Sequence, residues 1–286
     1  MSLYKEQQSF TLYGGDVVID FTPPHVFKKD GVRLKSPSTF TGMIDKSPFL
    51  IPWAVGLTYD HLYQYLLEHE NEQLSTEQLF EVVDEAARKY KEKQEQAKDV
   101  GDIVHEYAMR FAIASINGEE LPKIPSNGDL SDYELDEDQE YEAVSGIYAF
   151  IEWYNEHDVT FHDVERVVYS AKHDYVGTVD VAATVDGEEL IIDYKTSKRI
   201  YTDHLIQAAL YAYAYAEERE VLMQKGYEVQ PFYAHQFALL HFSKSDGDFE
   251  FVRPSEEVKE RATDAALSLV PFTKNYKELD KKWSNQ

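Results

Sequence analysis

Residues 177–198 read GTVDVAATVDGEELIIDYKTSK, and this stretch restricts the possible folds most tightly. Two runs rich in β-branched and apolar residues, Val179–Val185 and Glu188–Tyr194, flank the dipeptide Asp186-Gly187. That dipeptide supplies the positive φ angles of a type I′ turn, so the stretch predicts a hairpin with a two-residue loop. Val185 then faces Glu188, and stepping outward the register sets Asp180 directly across from Asp193. Facing Cβ atoms lie roughly 4.5–5.5 Å apart, and like charges there destabilise a sheet. Lys195, two positions beyond Asp193, points from the same face, while Ile192 and Tyr194 turn to the other. An uncompensated pair of this kind costs too much to be kept for structure alone. A divalent cation between the carboxylates reverses the sign of the problem. Mg²⁺ prefers oxygen ligands and takes one or two carboxylates with water and phosphate oxygens. A lysine beside it supplies positive charge where an attacking water and a phosphate both use it.

Composition narrows the setting. The chain has 286 residues, 43% of them hydrophobic and 14% aromatic, which is globular and large enough for a sizeable core. It holds no cysteine, which excludes disulfides, thiol catalysis and thiolate-held iron–sulfur clusters. No apolar run approaches the roughly 18 residues of a membrane span. The start, MSLYKEQQSF, lacks the basic-then-apolar order of a signal peptide, so the expectation is a cytoplasmic protein. The net charge of −25 argues against a general positive field for nucleic acid. The charge is uneven, however. Residues 129–142 (DLSDYELDEDQEYE) carry eight acids and no base, while Lys195, Lys198 and Arg199 cluster after the hairpin and Lys28, Lys29, Arg33 and Lys35 cluster near the start. DNA would be met locally, through such patches and bound metal.

Along the chain, residues 10–34 read as β-rich with a second Asp-Gly turn at Asp30-Gly31. A helix is expected from about Pro52 to residue 69, with Trp53, Leu57, Leu62, Tyr65 and Leu66 available for packing. A second opens at Ser75-Thr76-Glu77 and runs on through EQLFEVVDEAARKYKEKQEQ. Further helices are expected over 99–116 and 141–156, then a strand over 164–170, the hairpin, and a helix over 202–225. Strands around 232–243 and 249–252 precede a last helix from Pro254-Ser255. Tyr211, Tyr213 and Tyr215 alternate at period two, but the surrounding alanines favour helix, which places Gln207 and Tyr211 on one face.

The residues resemble a known family. GTVD at 177–180, IIDYKTS at 191–197 and Gln207-Ala-Ala-Leu-Tyr211 are similar, in order and spacing, to the successive motifs of RecB-type exonucleases in the PD-(D/E)xK nuclease superfamily. VGDIVHEYAMRFA, containing His105, resembles the family's first motif, and VERVV places Glu165 where many members carry an acid. The likeness of RLKSPSTFTGMIDKSPFLIPWA to phage-encoded members is weaker. The resemblance implies a restriction-endonuclease-like three-layer α/β/α core with a mixed β-sheet. It implies one domain over 1–286, with a β-hairpin and helical elaboration over 1–95 and a catalytic core over 96–286. It implies Asp180, Asp193, Lys195 and Glu165 as catalytic groups, and His105, Asp180, Asp193 and the Tyr194 carbonyl as ligands of Mg²⁺ or Mn²⁺. Gln207, Tyr211, Thr196, Ser197 and Lys198 are then expected to contact DNA. Several relatives hold an iron–sulfur cluster on four cysteines; this chain resembles the cluster-free branch.

The resulting expectation is a metal-dependent DNA exonuclease of recombination, repair or phage DNA processing, acting on DNA ends without a membrane. Its expected partners are a recombination protein or further copies of itself. A structure-specific endonuclease of the same fold and a catalytically inactive acidic scaffold are the alternatives.

Overall fold

The computed structural model describes residues 6–126, 130, 133 and 135–284, without the side chains of 274 and 276–284. The chain starts with a four-stranded antiparallel sheet in sequential order: β1 (Gln8–Leu12), β2 (Val17–Thr22), β3 (Val26–Lys29) and β4 (Val32–Arg33). The expected Asp30-Gly31 turn joins the last two, both residues taking positive φ. Helices α1 (Pro37–Thr41), α2 (Ser47–Glu68), α3 (Thr76–Ala86), α4 (Lys89–Asn117) and α5 (Glu137–Glu156) follow. A five-stranded sheet comes next: β5 (Val159–Ser170), β6 (Tyr175–Val185), β7 (Glu188–Lys195), then α6 (Thr202–Gln224), β8 (Phe237–Phe242) and β9 (Phe249–Val252). Helix α7 (Glu256–Ser284) closes the described chain.

The second sheet runs β5-β6-β7-β8-β9 and is mixed: only β7 and β8 are parallel. A parallel neighbour needs a crossover, and α6 provides it. Helix α6 contacts β5, β6, β7 and β8, while α5 contacts β8 and β9. All six residues of β8, FALLHF, are buried, as a strand covered on both faces requires. Fold class follows: a mixed sheet between helices, consistent with the restriction-endonuclease-like architecture. Asp186 and Gly187 have φ of 53° and 85°, and the ladder runs from Val185↔Glu188 to Val181↔Ile192 in the expected register.

The chain divides into two compact units, residues 1–43 with 101–286, and residues 44–100. In the first, the small sheet shares an apolar core with the large one: Leu12, Tyr13, Ile19, Phe21 and Phe27 cluster with Val167, Tyr169 and Val176. Tyr13 Oη donates to the Tyr169 carbonyl at 2.7 Å. In the second, α2 packs against α3, and Thr58 Oγ1 donates to the Ala86 carbonyl at 3.3 Å.

Several boundaries differ from the sequence reading. Helix α2 begins at Ser47, because Pro48 lies in the first turn, where no amide N–H is needed; Pro52 is carried inside the helix. Among the described residues α2 has no buried side chain, and Trp53 and Leu66 are exposed. Its apolar residues encircle the helix, so the pattern selected no single packing face. The Ser75 cap forms a capping box with Gln78, but α3 stops at Ala86 and a turn through Arg88 starts α4, which then runs unbroken to Asn117. An unbroken run of good helix formers hid that turn. Helix α5 starts at Glu137, capped by Asp136, with Glu137, Asp138 and Glu140 favourably placed near the positive helix end. Most of the acidic stretch before it lies outside the described residues. Strand β5 begins at Val159 and carries a register shift between Phe161 and Asp163.

Candidate active site

The residues of the candidate site belong to the unit of residues 1–43 and 101–286. Beyond Val181↔Ile192 the β6–β7 ladder stops. There the Tyr194 backbone N–H donates to Asp180 Oδ2 at 2.7 Å, so a carboxylate takes the place of a ladder carbonyl. Asp193 is the next residue on β7, within a run where Leu190 to Tyr194 are all buried. It is 2% exposed, and the Lys195 ammonium lies 2.5 Å from its Oδ2. Apart from that ammonium, no group among the described residues donates to this oxygen.

Electrostatics mark the same spot. Burial pushes the Asp193 carboxyl up to about 6; Lys195 opposes the rise and Asp180 adds to it. Burial also raises Asp180, against Lys195 and the Tyr194 N–H. Two neighbouring carboxylates that resist ionisation form a site short of positive charge.

Glu165 lies between Val164↔Val181 and Arg166↔Val179, which sets it across from Asp180. Its φ of 50° is left-handed, a strained state for a non-glycine residue in a strand. Burial, with Asp180 next, pushes its carboxyl up to about 8. His105 comes from α4 with its ring edge-on to Tyr194, centroids 5.9 Å apart. Burial and then Lys195 push it down to about 4, against Asp193, so the imidazole is neutral at pH 7. Neutral imidazole is the form that binds metal. Yet among the described residues no three His, Asp or Glu side chains are gathered closely enough to hold an ion. His105, Asp180 and Asp193 therefore do not form one ligand cluster here.

The α6 pair is tied to the lysine. Lys195 Nζ donates to Gln207 Oε1 at 3.4 Å, and Gln207 Nε2 donates to Tyr211 Oη at 3.0 Å. Tyr211 packs over Gly177, where an added Cβ would lie 2.5 Å from its Cε1 and 3.0 Å from Pro37 Cδ. A Cβ at Gly101 would lie 2.7 Å from Thr196 Oγ1, so this glycine lets α4 approach the end of β7. Ser197 Oγ donates to the Arg199 carbonyl at 2.8 Å, and Lys198 is exposed. Both lie past the strand end, in the turn that leads to α6.

Sequence reasoning missed His241. It is buried on β8, in register with Lys195, and its Nε2 contacts the Ser197 carbonyl. Nothing local to it signals this, because the β7–β8 pairing joins strands separated by a whole helix. Gly177 had a signal in the GTVD motif, but its steric reason needed the Tyr211 ring in place.

The sequence profile of the PD-(D/E)XK nuclease superfamily matches residues 65–279, well over half of the chain. The chain belongs to the PD-(D/E)XK nuclease superfamily. A search of curated proteins gives no match. Membership brings nuclease chemistry, the hydrolysis of phosphodiester bonds, and nucleases of this superfamily typically use a divalent metal ion. The superfamily's metal fits the residues present, since the buried Asp193 and the half-buried Asp180 are neighbouring hard-oxygen donors and one Asp193 oxygen has only a lysine for a partner. Among the described residues no helix is long and apolar enough to cross a membrane.

Proposed function

We propose that the protein is a Mg²⁺- or Mn²⁺-dependent DNA exonuclease, serving recombination, repair or phage DNA processing. The observation that carries the site assignment is the Lys195 ammonium 2.5 Å from a buried Asp193, beside Asp180. The exonuclease assignment rests on the likeness of the motifs at 177–211 to those of RecB-type nucleases.

Asp180, Asp193 and the Tyr194 carbonyl are the groups that would hold the ion, with His105 and Glu165 at the margin of the site. When bound, the metal supplies Lewis-acid polarisation of the phosphate and lowers the pKa of a water. Lys195 steadies negative charge on the phosphoryl oxygens and orients the attacking water. Glu165, protonated near neutrality, can give or take a proton close to Asp180. Thr196, Ser197 and Lys198, with Arg199, offer the strand a local polar and basic edge, which suits a chain whose net charge of −25 repels DNA elsewhere.

Digestion of end-labelled linear DNA, single and double stranded, tests the reading. Mg²⁺ supports loss of the label and EDTA abolishes it, while a covalently closed circle survives. Rapid cutting of the circle would move the assignment to an endonuclease. Lys195→Ala and Asp193→Asn stay folded by circular dichroism and each lose at least ~10²-fold in cleavage, within the range for removing a group that stabilises transition-state charge. Full activity in either variant defeats the mechanism. Absence of Mn²⁺ binding by calorimetry would favour the inactive scaffold.

A further inference from the structure

We infer that Gln207 and Tyr211 are positioning residues for Lys195 rather than contacts for the DNA strand; this rests on the nuclease reading above. Four residues form a chain of contacts. Gly177 leaves room for the Tyr211 ring, Tyr211 Oη accepts from Gln207 Nε2 at 3.0 Å, and Gln207 Oε1 accepts from Lys195 Nζ at 3.4 Å. Tyr211 is 8% exposed and its ring is pressed onto the β6 backbone, so no face is left on which a base could stack. Lys195, which can only donate, takes the Gln207 oxygen, and the Tyr211 hydroxyl receives the Nε2–H that this orientation turns toward it. An amide accepts only through its oxygen, so this orientation decides whether Lys195 meets an acceptor or a repelling N–H.

The need for such an anchor follows from the charges. The ammonium's other partner is Asp193 Oδ2, at 2.5 Å. A cation held by Asp193 would compete for that carboxylate and repel the lysine. A four-carbon side chain released in this way regains rotamer freedom and leaves the site. Gln207 is neutral, is not drawn to the cation's charge balance, and keeps the ammonium in place when Asp193 is engaged. The glycine at 177 and the glutamine–tyrosine pair at helical spacing on α6 thus act as one device, and the far end of that device touches no substrate.

Kinetics on linear DNA with Mg²⁺, together with DNA binding in EDTA, separate positioning from strand contact. Gln207→Ala lowers kcat about tenfold or more, the scale of one hydrogen bond to a charged group. KM, and the DNA dissociation constant in EDTA, stay within about twofold. Tyr211→Phe keeps the ring on Gly177, melts at nearly the wild-type temperature, and shows a smaller loss in kcat of the same kind. In a Lys195→Ala background, Gln207→Ala costs nothing further, because residues acting through one group are not additive. Acylation of Lys195, followed by mass spectrometry without metal or DNA, is faster in Gln207→Ala than in the wild type. A raised KM or weakened DNA binding with kcat unchanged would overturn the inference, as would full additivity with Lys195→Ala. A wild-type protein that cleaves no DNA would instead sink the nuclease reading itself.

Discussion

At the residue scale, the site is built from groups whose environment works against their charge. Glu165 shows this most simply. Its carboxyl lies at about 8 in the folded chain against an ordinary 4.5, chiefly through burial and then through Asp180. A raised acid contributes stability that is fully present below its unfolded pKa and is lost as pH rises through the folded one. In metal-free buffer, therefore, thermal stability falls between about pH 4.5 and pH 8 partly on account of Glu165. Glu165→Gln removes that part: it melts at the wild-type temperature near pH 4 and above it at pH 9. Equal melting temperatures at pH 9 would show that Glu165 is not the buried acid described. Gly177 makes the steric counterpart. A methyl there must displace the Tyr211 ring, which Gln207 holds, so Gly177→Ala destabilises by about 1–3 kcal/mol in urea titration and lowers activity as well. An unchanged transition midpoint would mean that the ring moves freely.

At the scale of elements, α6 joins the parts of its unit. Its first half carries Gln207 and Tyr211 to the end of β7, and its second half anchors the N-terminal sheet. Glu218, buried, accepts the Tyr13 N–H at 3.0 Å and Arg166 Nη2 at 3.0 Å; Glu217, also buried, accepts Ser170 Oγ at 2.6 Å and the Lys172 N–H at 2.9 Å. Lys225 at the helix end donates to the Tyr13 carbonyl at 2.6 Å. These ties hold a turn early in the chain to a helix about two hundred residues later. Arg166→Ala leaves buried Glu218 without its guanidinium partner. Because the arginine is 30% exposed, the expected loss is about 2 kcal/mol, below the 3–5 of a fully buried pair. Urea denaturation measures it, and early proteolytic cleavage near Tyr13 should accompany it. A loss below about 0.5 kcal/mol, typical of a neutral surface change, would show that water replaces the arginine.

At the scale of the whole molecule, an acidic chain meets an acidic polymer. Lys195, Lys198 and Arg199 are the cations nearest the site in sequence, and the formal charge of −25 offers no wide basic track around them. Binding of DNA in EDTA should accordingly depend weakly on salt. Three phosphate contacts give a log–log slope of about −2 to −3, whereas six or more contacts would steepen it past about −4 and reveal a basic surface beyond these residues. What the sequence determined by itself was local or carried by spaced motifs. The Asp186-Gly187 turn set the register from Val185↔Glu188 to Val181↔Ile192, one pair short of Asp180 and Asp193, and alternation along β7 set Lys195 on the face of Asp193. Alanine-rich composition made α6 a helix despite its alternating tyrosines. Tertiary structure decided what depends on distant segments meeting. It put Gln207 against Lys195, the Tyr211 ring over Gly177, Thr196 against Gly101 and His241 beneath the turn after β7. It also turned the Glu165 backbone left-handed and fixed where α2, α3 and α4 begin and end. The division has a physical basis: turn chemistry and side-chain period act within a few residues, whereas burial, pKa shifts and steric fit arise only when elements far apart in the chain exclude water together.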